Sequence, residues 1–139
     1  MSIEDLRRKF IVDEDALKSR LEPVVNKALL HCRIDKAGQV LITNPKLSAK
    51  DQVLLVLVAR AVAAQLEAGI RPDVTVAEIC KYTGLPPNQV RARGKDVIQA
   101  KFAESRGAGV YRAVPHRAEV FLDTLAGTVT QALSQGAKG

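Results

Sequence analysis

The sequence predicts a mostly α-helical fold with a small β-hairpin near its C-terminal end and an N-terminal helical extension. Two long stretches have apolar residues at helical spacing, residues 17–29 and 53–66. A glycine-rich tetrapeptide at residues 106–109 separates two short extended segments, a pattern typical of a hairpin. We therefore expect an extension over residues 1–46, a folded domain over residues 47–134 and a flexible tail over residues 135–139.

The net charge of +6 is concentrated in one part of the chain. Residues 71–117 contain nine basic and four acidic residues, whereas residues 47–70 contain two of each. A local basic excess favours a polyanionic partner such as a nucleic acid.

The sequence offers little support for catalysis or for a bound cofactor. It has no phosphate-binding loop, nucleophile elbow or metal-binding histidine spacing, so we expect neither an enzyme nor a metal or cofactor site. Cys32 stands beside His31, which suggests either a metal or reactive-thiol site or simple packing, and we favour packing. The N-terminus lacks the apolar core of a secretory signal and two cysteines make no disulfide framework, so we expect a cytoplasmic protein without a membrane segment.

The N-terminal extension contains signals for two helices and a hairpin. Ser2 and Asp5 predict the start of a helix that ends near Phe10. Asp13 can cap a second helix, in which Pro23 predicts either a kink or two shorter helices. A turn at residues 36–38 then predicts a small hairpin that pairs Ile34 with Val40 and Ile42.

The most apolar segment predicts a long helix over residues 48–68. Ser48 is a suitable N-cap, and Gly69 is expected to close the helix. Because this helix is apolar on nearly every side, it is either central to the core or shared with another subunit. A last helix is expected over residues 116–133.

Residues 74–102 carry the strongest local pattern. Thr75 can cap a helix over residues 76–83, and Gly84 provides a turn. Pro87 suits the first turn of the next helix. That helix has one apolar side, formed by Val90, Gly94, Val97 and Ile98. Its opposite side carries Asn88, Ala92, Lys95 and Gln99, with Gln89 and Arg91 flanking.

The order of these elements resembles the winged helix-turn-helix superfamily over residues 48–134. The resemblance rests on the spacing of five residues and on the second strand of the hairpin: Ile79, Cys80, Gly84, Leu85, Val90 and residues 109–112 (GVYR). Two positions depart from the family. Arg93-Gly94 stands where a large apolar residue is usual, and the glycine that often ends the recognition helix is missing. Gly94 either allows a close contact or marks a distortion.

The resemblance implies binding of double-stranded DNA by a small transcriptional regulator. In the major groove, Asn and Gln pair with adenine and Arg pairs with guanine. The candidates for base contacts are Asn88, Gln89, Arg91 and Lys95. Arg106 at the hairpin tip is a candidate for phosphate or minor-groove contact, and Thr75, Lys81 and Arg112 are candidates for phosphate contact.

The sequence is compatible with two other functions. The main alternative is a winged-helix protein-interaction module in a larger assembly, because a fold alone does not establish DNA binding. RNA binding is a weaker alternative, since no aromatic platform for unstacked bases is visible.

We also expect a homodimer. Ala118, Leu122, Leu125, Val129 and Ala132 have the spacing of a helix-pairing seam. This helix, the helix over residues 48–68, or both form the expected interface. The alternative is a terminal helix folded back on its own core.

Overall fold

The computed structural model describes residues 2–10 and 16–128. Within these ranges the protein is mostly α-helical and has two small antiparallel sheets. The N-terminal part comprises α1 (Ile3–Phe10), α2 (Ala16–Ser19), α3 (Leu21–Ala28), β1 (Cys32–Ile34) and β2 (Val40–Ile42). The remainder comprises α4 (Ala49–Leu66), β3 (Val74–Thr75), α5 (Val76–Thr83), α6 (Pro87–Gln99), β4 (Ala103–Gly107), β5 (Val110–Ala113), a short 3-10 helix (Pro115–Arg117) and α7 (Ala118–Thr124).

Helix α4 is the centre of the core. Ser48 caps it as predicted, with its hydroxyl accepting a hydrogen bond from the Asp51 amide at 3.2 Å. All side chains from Val53 to Ala63 are buried, because α3, α5, α6, the first hairpin and β5 surround the helix. The prediction that Gly69 closes the helix was wrong. The helix ends at Leu66, and Glu67 takes the C-cap position in an extended conformation.

The N-terminal elements follow the sequence prediction with one displacement. Ser2 caps α1 through a 3.2 Å hydrogen bond from the Asp5 amide. The chain does break near Pro23, but the break lies earlier, at Arg20. Pro23 is the third residue of α3, where a backbone amide has no partner within the helix, so proline costs no hydrogen bond there. The predicted cap at Asp13 lies outside the described residues.

Both predicted hairpins are present. Strands β1 and β2 pair with Ile34 opposite Val40, and Asp35 closes the turn by accepting hydrogen bonds from the Ala37 and Gln39 amides at 2.9 Å. The second hairpin, β4–β5, belongs to a three-stranded sheet of order β3-β5-β4. In that sheet Val74 of β3 lies opposite Tyr111 of β5.

Arg60 connects α4 to the first hairpin, to α5 and to the segment before β3. Its guanidinium donates to the Arg71 carbonyl at 3.0 Å, to the Gly38 carbonyl at 3.3 Å and to the Asp73 carbonyl at 3.4 Å. It also pairs with the Glu78 carboxylate of α5 at 2.7 Å. A buried charge needs such partners, and these partners fix the first hairpin and α5 relative to α4.

The predicted last helix is divided. A 3-10 turn at Pro115–Arg117 precedes α7, and the prediction beyond residue 128 lies outside the described residues. Ala118, Leu122 and Leu125 are each 1% exposed, so they pack in the core of their own chain. Helix α4 is buried as well. The described parts of both surfaces that were predicted to form a dimer interface therefore lie inside the fold, and the homodimer remains a prediction. No helix in the described ranges is sufficiently long and apolar to cross a membrane.

Candidate nucleic-acid interface

Helices α5 and α6 are joined by a three-residue turn with the predicted features. Thr75 forms a capping box with Glu78: its hydroxyl accepts from the Glu78 amide, and the Glu78 carboxylate accepts from the Thr75 amide, both at 3.2 Å. Gly84 ends α5 in the left-handed conformation, with φ of +76°. Pro87 begins α6, as its fixed φ favours.

Helix α6 presents its polar side to solvent. Val90, Gly94 and Val97 are buried against α4 and α5. Asn88, Arg91 and Lys95 are exposed, and Gln89 is half-buried. The structure therefore brings all four proposed base-contacting residues onto one helix, and three of them are exposed.

The close packing of α6 on the sheet depends on Gly94. A Cβ atom at this position would lie 3.1 Å from Cζ of Tyr111 in β5. Of the two explanations that the sequence left open for Arg93-Gly94, the structure supports the close contact, since Gly94 lies inside a regular helix.

The exposed side of α6 retains a positive charge. Asp96 is its one acidic residue, and it pairs with Arg93 at 3.0 Å. In the described part of the chain, Arg91 and Lys95 form no ion pair. Their charges are thus available to an external anion.

The second hairpin carries less free charge than its sequence suggests. Arg106 is exposed near the tip, but its Nη1 lies 3.9 Å from Oε1 of Glu104. The register of β4 with β5 shifts between Ser105 and Gly107, so regular strand alternation does not predict this pairing. At this distance in solvent the attraction is weak, and Arg106 remains able to reach an anion.

Two proposed phosphate contacts serve the fold. Arg112 Nε donates to Asp73 Oδ1 at 2.6 Å, and both side chains are 31% exposed. The hydroxyl of Thr75 is engaged with Glu78 in the capping box. Neither residue offers a free donor comparable to Arg91.

Lys81 lies apart from the exposed side of α6. It is exposed on α5 and lines a groove of about 500 Å³ between α5 and the first hairpin, together with Tyr82, Arg33 and Gln39.

Burial acts to raise the pKa of nearby Glu78, but hydrogen bonds from Arg60 and Thr75 outweigh it and hold this pKa below its usual value. Glu78 stays ionised, and its charge is shared with buried Arg60.

Lys101 was missed by the sequence reasoning. It is exposed between α6 and β4 and has a φ of +69°, a conformation that favours glycine. Lys101 lies at the end of α6, where a glycine that ends the helix was expected and is missing. The composition of this segment gives no signal for such a conformation. This conformation belongs to the Schellman motif that ends α6, in which the Phe102 amide donates to the Val97 carbonyl and the Lys101 amide to the Ile98 carbonyl, both at 3.0 Å.

His31 and Cys32 are packed, as we favoured. Asn44 Nδ2 lies 2.9 Å from His31 Nδ1. Burial raises the pKa of the Cys32 thiol to about 11, and the thiol donates to the Ala28 carbonyl at 3.5 Å. Among the described residues, no three side chains of the metal-binding types come together.

Comparisons with protein-family models, with curated proteins and with solved structures give no match for this chain.

Proposed function

We propose that this protein binds double-stranded DNA through a winged helix-turn-helix domain, as a small transcriptional regulator. In this proposal α5 and α6 form the helix-turn-helix, α6 enters the major groove, and the β4–β5 hairpin is the wing. The observation that carries it is the exposed side of α6, where Asn88, Arg91 and Lys95 are accessible and the single acid is neutralised by Arg93.

The arrangement around α6 supports this proposal. A helix can enter the major groove only if one side is free along its length, and α6 packs through its opposite side. Strands β4 and β5 form a hairpin in which Arg106 is exposed beside two glycines at positive φ, Gly107 and Gly109. An exposed cation at this hairpin tip is suited to backbone contact rather than base recognition.

The number of exposed charges predicts how strongly salt weakens the binding of duplex DNA. Arg91, Lys95 and Arg106 are the proposed side chains with exposed charges on α6 and the hairpin. If about three phosphates are neutralised, raising the salt concentration fourfold weakens duplex binding roughly fortyfold through counterion release.

The test is a titration of labelled duplex and single-stranded DNA at two salt concentrations, followed by fluorescence anisotropy. We expect tighter binding to duplex, with a steep salt dependence. The variant Arg91→Ala/Lys95→Ala is expected to bind at least tenfold more weakly. The matched control is Lys18→Ala/Lys50→Ala, which removes the same charge from exposed positions on α2 and α4 and should bind as the parent does. Equal affinity for both forms of DNA, or equal loss in the control, would instead favour a protein-interaction module.

A further inference from the structure

Helix α1 exposes an apolar side. Ile3, Leu6 and Phe10 lie at positions i, i+3 and i+7, on one side of the helix. Their side chains are 76%, 52% and 91% exposed, respectively. An eight-residue helix is marginal in water by itself, so a helix of this kind gains most of its stability from a surface that covers the apolar side.

A matching apolar groove lies between α3, β1 and the C-terminal half of α4. It has a volume of about 230 Å³. Its walls are aliphatic, and they include Val25, Leu29, Ile34, Val62, Ala63 and Leu66. Leu29 and Leu66 are 43% and 60% exposed, so this part of the surface presents large apolar side chains to solvent.

Arg33 is the charged residue among those lining the groove. Its Nη1 donates to the carbonyl oxygens of Leu29 and Cys32, which holds the guanidinium at the edge of the groove. The first turn of α1 carries Glu4 and Asp5, and its second half carries three basic residues. The groove and α1 are therefore complementary in apolar surface, and Arg33 favours the orientation in which the acidic first turn of α1 lies beside it.

We infer that α1 of one copy docks in this groove on a second copy, and that the exchange is reciprocal. Three apolar anchors at this spacing are the pattern by which an amphipathic helix binds a groove. Within a single chain α1 leaves its own groove open and takes no part in the buried core. The inference concerns assembly and does not rest on DNA binding.

The area is sufficient for a stable dimer. The three apolar side chains at these exposures offer roughly 300 Å² per helix, taking about 200 Å² for Phe10 and about 100 Å² for each aliphatic side chain. Two exchanged helices, counted with the surfaces they cover, bury about 1,200 Å², which is the lower end of the range for a specific interface. One helix folded onto its own chain would bury half of that.

Cross-linking tests the exchange directly. In a Cys32→Ala/Cys80→Ser background, which removes the cysteine that lines the groove as well as Cys80, chains with Leu6→Cys are mixed with chains carrying Leu29→Cys and are then oxidised. We expect disulfide-linked dimers from the mixture and few from either chain alone. A single chain with both substitutions should also give linked dimers. If that chain instead forms only an internal disulfide, α1 folds back on itself; if neither sample cross-links, the groove is not the docking site. Either result overturns the inference.

Sedimentation equilibrium provides an independent measurement. The parent is expected to be dimeric at tens of micromolar, whereas Phe10→Ser and Leu66→Asp should each raise the dimer dissociation constant at least tenfold. Both positions are exposed in the single chain, so far-UV circular dichroism and the melting temperature should change little. The control is Val120→Ser, at an apolar position on α7 that is 47% exposed, and it should stay dimeric. A monomeric parent, or a dimer that Phe10→Ser leaves intact, contradicts the exchange.

Discussion

Asn44 Nδ2 donates a hydrogen bond to His31 Nδ1 across 2.9 Å in the interior, and it donates a second one to Thr128 Oγ1 at 2.9 Å. The Nδ2 amino group of Asn44 can only donate, so His31 Nδ1 must accept, which requires a neutral histidine. This network ties the end of the N-terminal helical region to the segment that follows α7. Burial accordingly lowers the pKa of His31 below its usual 6.5.

This pKa predicts a loss of stability in weak acid. Because the folded pKa lies below the unfolded one, the contribution is fully present above pH 6.5 and is lost as the pH falls through the folded pKa. We expect the free energy of unfolding, measured by urea titration, to decline below pH 6.5. His31→Gln, which keeps an acceptor but cannot titrate, should flatten this decline. His116→Gln, which removes the exposed histidine, should leave it unchanged; an unaltered decline in His31→Gln would assign it to another group.

Gly94→Ala is expected to destabilise the protein although alanine favours helices by about 1 kcal/mol. The new methyl group would lie 3.1 Å from Cζ and 3.3 Å from the hydroxyl oxygen of buried Tyr111. Overpacking of this kind costs about 1–3 kcal/mol, so we expect a net loss of about 1 kcal/mol. In a Tyr111→Leu background the same substitution should be neutral or stabilising. A thermodynamic cycle from urea titrations measures the coupling, and a coupling near zero would refute the close contact.

Lys101→Gly is expected to stabilise the protein by about 0.5–1 kcal/mol. A left-handed conformation costs a residue with a Cβ about 1–2 kcal/mol, and the greater flexibility of glycine in the unfolded chain offsets part of the gain. Lys101→Ala removes the same charge but keeps the Cβ, so it should give no gain. Thermal unfolding of the three proteins separates the effect of conformation from that of charge, and equal gains in both variants would argue for charge.

Glu119 should govern the stability of the protein in stronger acid. Hydrogen bonds from Arg20 at 2.9 and 2.8 Å and from Lys27 at 2.7 Å lower the pKa of Glu119 to about 2. Its contribution is present above the ordinary carboxyl pKa of 4.5 and is lost as the pH falls toward 2. We expect Glu119→Gln to flatten the stability profile between pH 4.5 and 2. Glu67→Gln, at an exposed position, should retain the parent profile.

Arg91 and Arg106 are expected to differ in their effects on DNA binding. Arg91→Ala should cost about 1–3 kcal/mol on a preferred site, selected from a random duplex library, and much less on random duplex. Arg106→Ala should weaken binding to both and reduce the salt slope by about one. Glu104→Gln removes the carboxylate beside Arg106 and should strengthen binding to both duplexes. If neither arginine variant changes affinity, α6 does not read DNA.

The candidate site divides into residues that the sequence could assign and residues that it could not. Helical periodicity separated the buried and exposed sides of α6, because that separation depends only on spacing along one element. The ion pair between Arg112 and Asp73 joins residues that are 39 positions apart in the sequence, and it forms because β3 pairs with β5. Spacing along the chain contains no information about such a contact.

By itself, the sequence determined the main helices, both hairpins and several helix caps, although it misplaced the end of α4 and the break before α3. Ser48, Thr75 and Gly84 act within one turn of the backbone, so their roles as helix caps and turn follow from local chemistry. Only the tertiary structure decided which charges remain free and which apolar surfaces remain open. Arg60 and Arg112 are held by partners distant in sequence, whereas the predicted pairing seam of α7 is covered and the apolar side of α1 is not. Those outcomes depend on which elements meet in space, and that is set by the packing of the whole core around α4.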